Sequence, residues 1–70
     1  MEFLIRGEFI TLDALLKATG LAESGGHAKE LIVQGEVKVD GAVETRRTRK
    51  LRGGETVEFH GEIIHIKAQG

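Results

Sequence analysis

At 70 residues, with ten glycines and neither cysteine nor proline, the chain has room for one small unit with many tight turns, and excludes a disulfide framework, a thiolate metal site and a thiol nucleophile. Three phenylalanines without tyrosine or tryptophan leave few rings for stacking on bases. The formal net charge of −1 hides an asymmetry: residues 1–35 carry three Lys/Arg against five Asp/Glu, residues 36–52 six against three, and residues 53–70 one against three. No apolar stretch approaches the roughly 18 residues of a membrane span, and the amino terminus lacks the basic flank and apolar run of a secretory signal. A soluble, cytoplasmic protein with a single domain over 1–70 is expected.

Met1 to Arg6 alternates loosely and reads as a strand with Phe3 and Ile5 on one face. A helix follows: Thr11 is placed to cap it, Asp13 sits in the first turn where the dipole favours an anion, and Leu12, Leu15, Leu16 and Thr19 recur at helical spacing. Ile10 and Leu15 have the spacing of a hydrophobic staple, and Gly20 is the left-handed stop. Ser24 opens a second helix with Ala28, Leu31 and Ile32 as its apolar stripe, and Gly35 ends it. From Glu36 the period changes to two. Asp40-Gly41 between Val37-Lys38-Val39 and Ala42-Val43-Glu44 is a type I′ hairpin signal that sets Val39 opposite Ala42. Gly53-Gly54 then leads into Glu55 to Phe59, and His60-Gly61 returns the chain as Glu62 to Lys67, placing Val57, Phe59, Ile64 and Ile66 on one side. The expected fold is α+β, two short helices packed on a small, mostly antiparallel sheet.

Two features bear on function. Thr45 to Arg52 holds five cations and no anion, and such a cluster attracts phosphate through its local field whatever the average charge. Read as extended, it sends Arg47, Arg49 and Leu51 one way and Arg46, Lys50 and Arg52 the other, with Leu51 anchored in the core. The second feature is Ser24-Gly25-Gly26, where two glycines occupy the first helical turn at a cost of up to about 1 kcal/mol each relative to alanine. Either they permit a bend or close helix packing, or they clear the helix tip so that a phosphate can reach free N–H groups. His27 and Lys29 lie near such an anion, and Lys38 stands on the first hairpin. A continuous cationic cradle requires all these pieces to converge.

Catalysis has little support. His27, His60 and His65 match no dense ligand set, so neither metal nor cofactor is expected. Ser24 is better employed capping its helix than attacking a substrate, and Glu55, Glu58 and Glu62 read as the solvated side of a hairpin.

The order of these pieces, TLDALLKATGLAESGGHAKELIVQGEVKVDGAVETRRTRKLRGGETVEF, resembles the αL RNA-binding motif, the domain named after small-subunit ribosomal protein S4, over about residues 10–60. The family's Leu-Asp pair is matched by Leu12 and Asp13. Its Ser-Arg-x-x-Ala-Arg, Leu-Ile, Gly and Val-Asn-Gly positions are Ser24, Gly25, Ala28, Lys29, Leu31, Ile32, Gly35, Val39, Asp40 and Gly41. The departures at Gly25 and Lys29, with ETRRTRKL, are similar to the small stand-alone branch of YbcJ and YaaA type. The resemblance implies an RNA-binding module whose surface uses Ser24, His27, Lys29, Lys38, Arg46, Arg47, Arg49 and Lys50. Gly25, Gly26 and Arg52 join them on the reading of the residues above. The expectation is a non-enzymatic protein that recognises structured RNA, ribosomal or transfer RNA, through backbone and shape. If it neutralises about five phosphates, affinity falls on the order of 100- to 500-fold between about 50 and 200 mM salt. The alternative is an adaptor that docks its basic face on an acidic ribosomal or translation-factor protein. Duplex DNA is a weaker third, since neither helix is basic along one face.

Overall fold

The first and last strands lie side by side in one sheet. In the computed structural model, which describes residues 1–68, β1 (Glu2–Ile5) runs parallel to β7 (Glu62–Ala68), and β7 continues antiparallel through β6 (Thr56–Phe59) and β3 (Val37–Val39) to β4 (Ala42–Val43). The order is β1-β7-β6-β3-β4, so only the β1–β7 pairing departs from antiparallel. A separate two-stranded ribbon joins β2 (Ile10–Thr11) to β5 (Lys50–Leu51), and α1 (Leu12–Ala18) and α2 (Gly25–Val33) complete the fold.

Alternation decides which face each strand buries. Ile5, Val37, Val39, Val57, Phe59, Ile64 and Ile66 point inward and meet Leu12, Leu15 and Leu16 of α1 and Ala28, Leu31 and Ile32 of α2 in one core. Both hairpins turn as their sequences require: Asp40 and Gly41 have φ of 51° and 84°, and His60 and Gly61 have 48° and 83°, the paired positive values of a type I′ turn. Val39 pairs with Ala42 and Val57 with Ile64, in the expected register. Gly53 is required for a different reason. At φ +124°, a Cβ there would stand 2.7 Å from the Cβ of Ala68.

Local details refine the expected caps. Thr11 is the N-cap of α1, but its hydroxyl does not cap a backbone amide; it donates to Asp13 Oδ1 at 2.6 Å, and that oxygen also accepts from the Ala14 N–H. Ser24 does cap α2, accepting from the His27 N–H at 3.1 Å, while His27 Nδ1 accepts in return from the Glu23 N–H. Gly35, at φ +79°, closes α2 with the paired bonds of a Schellman motif, Gly35 N–H to the Ile32 carbonyl and Glu36 N–H to the Leu31 carbonyl.

Candidate nucleic-acid interface

The basic run is not one extended strand. Arg49 N–H donates to the Arg46 carbonyl, closing a turn, and only Lys50–Leu51 enters a strand. Strict alternation therefore fails before Lys50. Arg46 and Arg49, expected on opposite sides, both reach Glu44: Arg46 Nε lies 3.1 Å from Oε2 and Arg49 NH1 2.8 Å from Oε1. Beyond the turn the alternation holds, with Leu51 fully buried and Lys50 and Arg52 exposed.

The turn is fastened to the start of α1. Leu12 and Asp13, whose N–H groups have no partner inside their own helix, donate to the carbonyls of Arg49 and Arg47. Arg47 NH1 adds an ion pair to Asp13 Oδ2 at 3.2 Å. Thus a 34-residue separation in sequence is closed by two backbone bonds and one charge pair, and the guanidinium groups project from a fixed frame.

Electrostatics agree with this frame. Hydrogen bonds from Arg46 and then Arg49 outweigh the burial of Glu44 and lower its carboxyl to about 2. For Asp13, burial acts upward, but the Thr11 hydroxyl, the Ala14 amide and Arg47 together hold the carboxyl below its ordinary value. Glu44 in turn keeps the Arg46 guanidinium above its own. The Arg46 side chain remains 72% exposed, so pairing orients it without removing it from solvent. Glu55 also contributes: its carboxylate accepts from the Arg52 and Gly53 N–H groups and holds the end of the run.

Across the ribbon, Lys50 stands opposite Thr11 and Leu51 opposite Ile10. Extending that register one step places Phe9 opposite Arg52, on the outward face with Lys50. Phe9 is 39% exposed, with Lys50 Nζ 5.0 Å and Arg52 Cζ 5.7 Å from the ring centroid.

The tip of α2 is a second feature. Ser24, Gly25 and Gly26 are exposed. A Cβ on Gly25 would meet nothing within 4 Å, and one on Gly26 only Ser24 Oγ at 3.9 Å, so close helix packing does not account for either glycine. Gly26 and Lys29 share a shallow trough with Glu30, Val33 and Gln34. Among the described residues, no hydrogen bond or ion pair joins this tip to the basic run. Lys38 lies elsewhere again, exposed on the sheet face away from the helices between Val43 and Glu58. The contacts therefore gather Arg46, Arg47, Arg49, Lys50 and Arg52 around α1 and the ribbon, and do not connect Ser24, Gly25, Gly26, His27, Lys29 or Lys38 to them. His60 pairs with Glu36 and His65 with Thr56, and no cluster of three His, Asp or Glu suited to a metal occurs among the described residues.

Sequence reasoning passed over Phe9, Asp13 and Glu44 as parts of this surface. Asp13 was legible as a helix-start anion. Glu44 was also within local reach, standing just before the two arginines it holds in sequence, whereas nothing local marks Phe9 as the neighbour of two cations.

Comparison with known proteins places the fold. The family model described as "S4 domain" matches residues 3–67. The chain belongs to the S4 domain family. It is 49% identical over 59 residues to "Putative RNA-binding protein YbcJ" of Escherichia coli (strain K12), covering 84% of each chain. It is 43% identical over 54 residues to "Probable ribosome maturation protein RlbA" of Bacillus subtilis (strain 168), covering 77% of this chain and 76% of that one. The solution structure of YbcJ from E. coli, described as revealing an αL motif involved in RNA-binding, superposes with a TM-score of 0.73 at 44% identity over 96% of this chain and 86% of its own. The S4-domain architecture of two helices on a mixed sheet is thus shared by sequence and by shape.

Proposed function

We propose that this protein is a non-catalytic RNA-binding module of the cytoplasm. In this reading it grips the phosphate backbone of a structured RNA, ribosomal or transfer RNA, with Arg46, Arg47, Arg49, Lys50 and Arg52, and the bare tip of α2 with Ser24, Gly25, Gly26, His27 and Lys29 supplies an additional contact. The observation that carries it is the frame of the basic turn: two carboxylates and two backbone bonds hold three guanidinium groups at the start of α1. Long cationic side chains lose rotamer freedom on binding, and holding them beforehand lowers that cost. Arginine is the side chain suited to forked contact with phosphate oxygens. The names of the relatives, one RNA-binding and one for ribosome maturation, point the same way.

Arg47→Gln combined with Lys50→Gln removes two cations while leaving the Glu44 pairs intact, and is expected to weaken binding of a structured RNA about tenfold or more, with an unchanged circular-dichroism spectrum. Retained affinity in a filter-binding or anisotropy titration would reject this surface. Competition among structured RNA, single-stranded RNA and duplex DNA ranks the ligand classes, and crosslinking in cell extract that returned peptides with little RNA would favour a protein partner instead.

A further inference from the structure

We infer that Phe9, flanked by Lys50 and Arg52, is a stacking seat for one unpaired nucleobase, so that the surface engages a place where a duplex meets a single strand. This deepens the RNA-binding reading and rests on it. Phe9, 39% exposed, directly precedes the ribbon whose inner face buries Leu51 and is not a member of the buried core. Two cations lie over it, Lys50 Nζ at 5.0 Å and Arg52 Cζ at 5.7 Å from its centroid.

A nucleotide combines what this arrangement can take: a flat apolar face, and a phosphate on each side of it. A cation over an exposed ring is worth about 2- to 5-fold in an equilibrium, whereas one base stacked on an aromatic side chain is worth about 5- to 150-fold in affinity. Exchange is favourable because the two displaced cations are not lost but gain phosphate partners. The base takes the ring face and the displaced ammonium or guanidinium moves to the flanking phosphate. The same geometry would let a chain so poor in aromatics tell an unpaired base from a paired one, since a base inside a duplex already has both faces covered. The seat adjoins the arginine turn through Thr11, which lies opposite Lys50 and whose hydroxyl donates to Asp13, the partner of Arg47. Backbone grip and base stacking would then meet at one junction.

The full chain is titrated with two RNA hairpins of identical stem, one blunt and one carrying a four-nucleotide single-stranded extension. Wild type should prefer the extended hairpin. Phe9→Ala and Phe9→Leu should each lower affinity for it by about 5-fold or more while changing the blunt hairpin by no more than about 2-fold. Phe9→Trp should preserve the preference, and because the chain has no other tryptophan, its emission should be quenched by the extended hairpin alone. Equal binding of both hairpins by wild type, equal losses on both, or unquenched tryptophan emission on binding would each overturn the stacking seat and leave the phosphate-binding reading standing. Failure of wild type to bind either hairpin would remove that reading and this inference with it.

Discussion

Glu44 is the one charged residue among those described that the fold buries, at 8% exposure, and its burial is tolerated because Arg46 and Arg49 both donate to it. Its carboxyl is held near 2 against an ordinary 4.5, so the folded state keeps the proton off where the unfolded chain would take it up. The stabilisation is therefore complete above about pH 4.5 and is lost as pH falls towards 2. Asp13, also lowered, acts in the same direction. Glu44→Gln is expected to cost about 1–2 kcal/mol at pH 7, at the low end for a buried partner because Arg46 is mostly in solvent. For a domain of this size that is a fall of roughly 4–16 °C in Tm. Thermal melts of wild type and variant at pH 7 and pH 3 check the assignment. The gap should narrow at the lower pH, and a gap of equal size at both would mean that the charge is not what stabilises.

At the scale of elements, the glycines of α2 pose the clearest test. Alanine fits at both positions without a clash, so Gly25→Ala with Gly26→Ala should stabilise the fold by about 0.5–1 kcal/mol in total through helix propensity and a less mobile unfolded chain. If a phosphate approaches the free N–H groups there, the two methyl groups stand in its path, and RNA affinity should fall roughly tenfold. A stabilised variant with unchanged affinity would remove the α2 tip from the binding surface. The elements themselves were largely legible because their determinants are local. Asp40-Gly41 and His60-Gly61 can adopt paired positive φ, Ser24 can reach the His27 amide three residues on, and two-residue alternation sorted Val57, Phe59, Ile64 and Ile66 to one face. What escaped was non-local. Nothing near Glu2 announces its parallel pairing with His65, and Ile10, legible as a staple residue, also pairs with Leu51 across the chain. The arginine turn was misread as extended partly for the same reason, since the α1 donors that fasten it are distant in sequence, and partly because the pairing of nearby Glu44 with Arg46 and Arg49 was not considered.

For the molecule as a whole, the number of phosphates engaged depends on how much of the basic run its own carboxylates offset. Five cations lie between Arg46 and Arg52, but Glu44 and Asp13 are in contact with three of them. If those two anions stay in place when RNA arrives, the run presents a field closer to three charges than to five. At a slope of about 0.7 to 0.9 per neutralised phosphate, three contacts predict a loss of roughly 20- to 40-fold in affinity between about 50 and 200 mM salt, where five would give on the order of 100- to 500-fold. Anisotropy titrations across that range separate the two cases. The same argument makes Glu44→Gln diagnostic a second time. It releases one unit of charge, and the plot of log affinity against log salt should steepen by about 0.7 to 0.9, even where looser arginines weaken binding at a single salt concentration. Loss of affinity with no change of slope would show that Glu44 acts only by positioning, and a shallower slope would contradict the count of charges altogether.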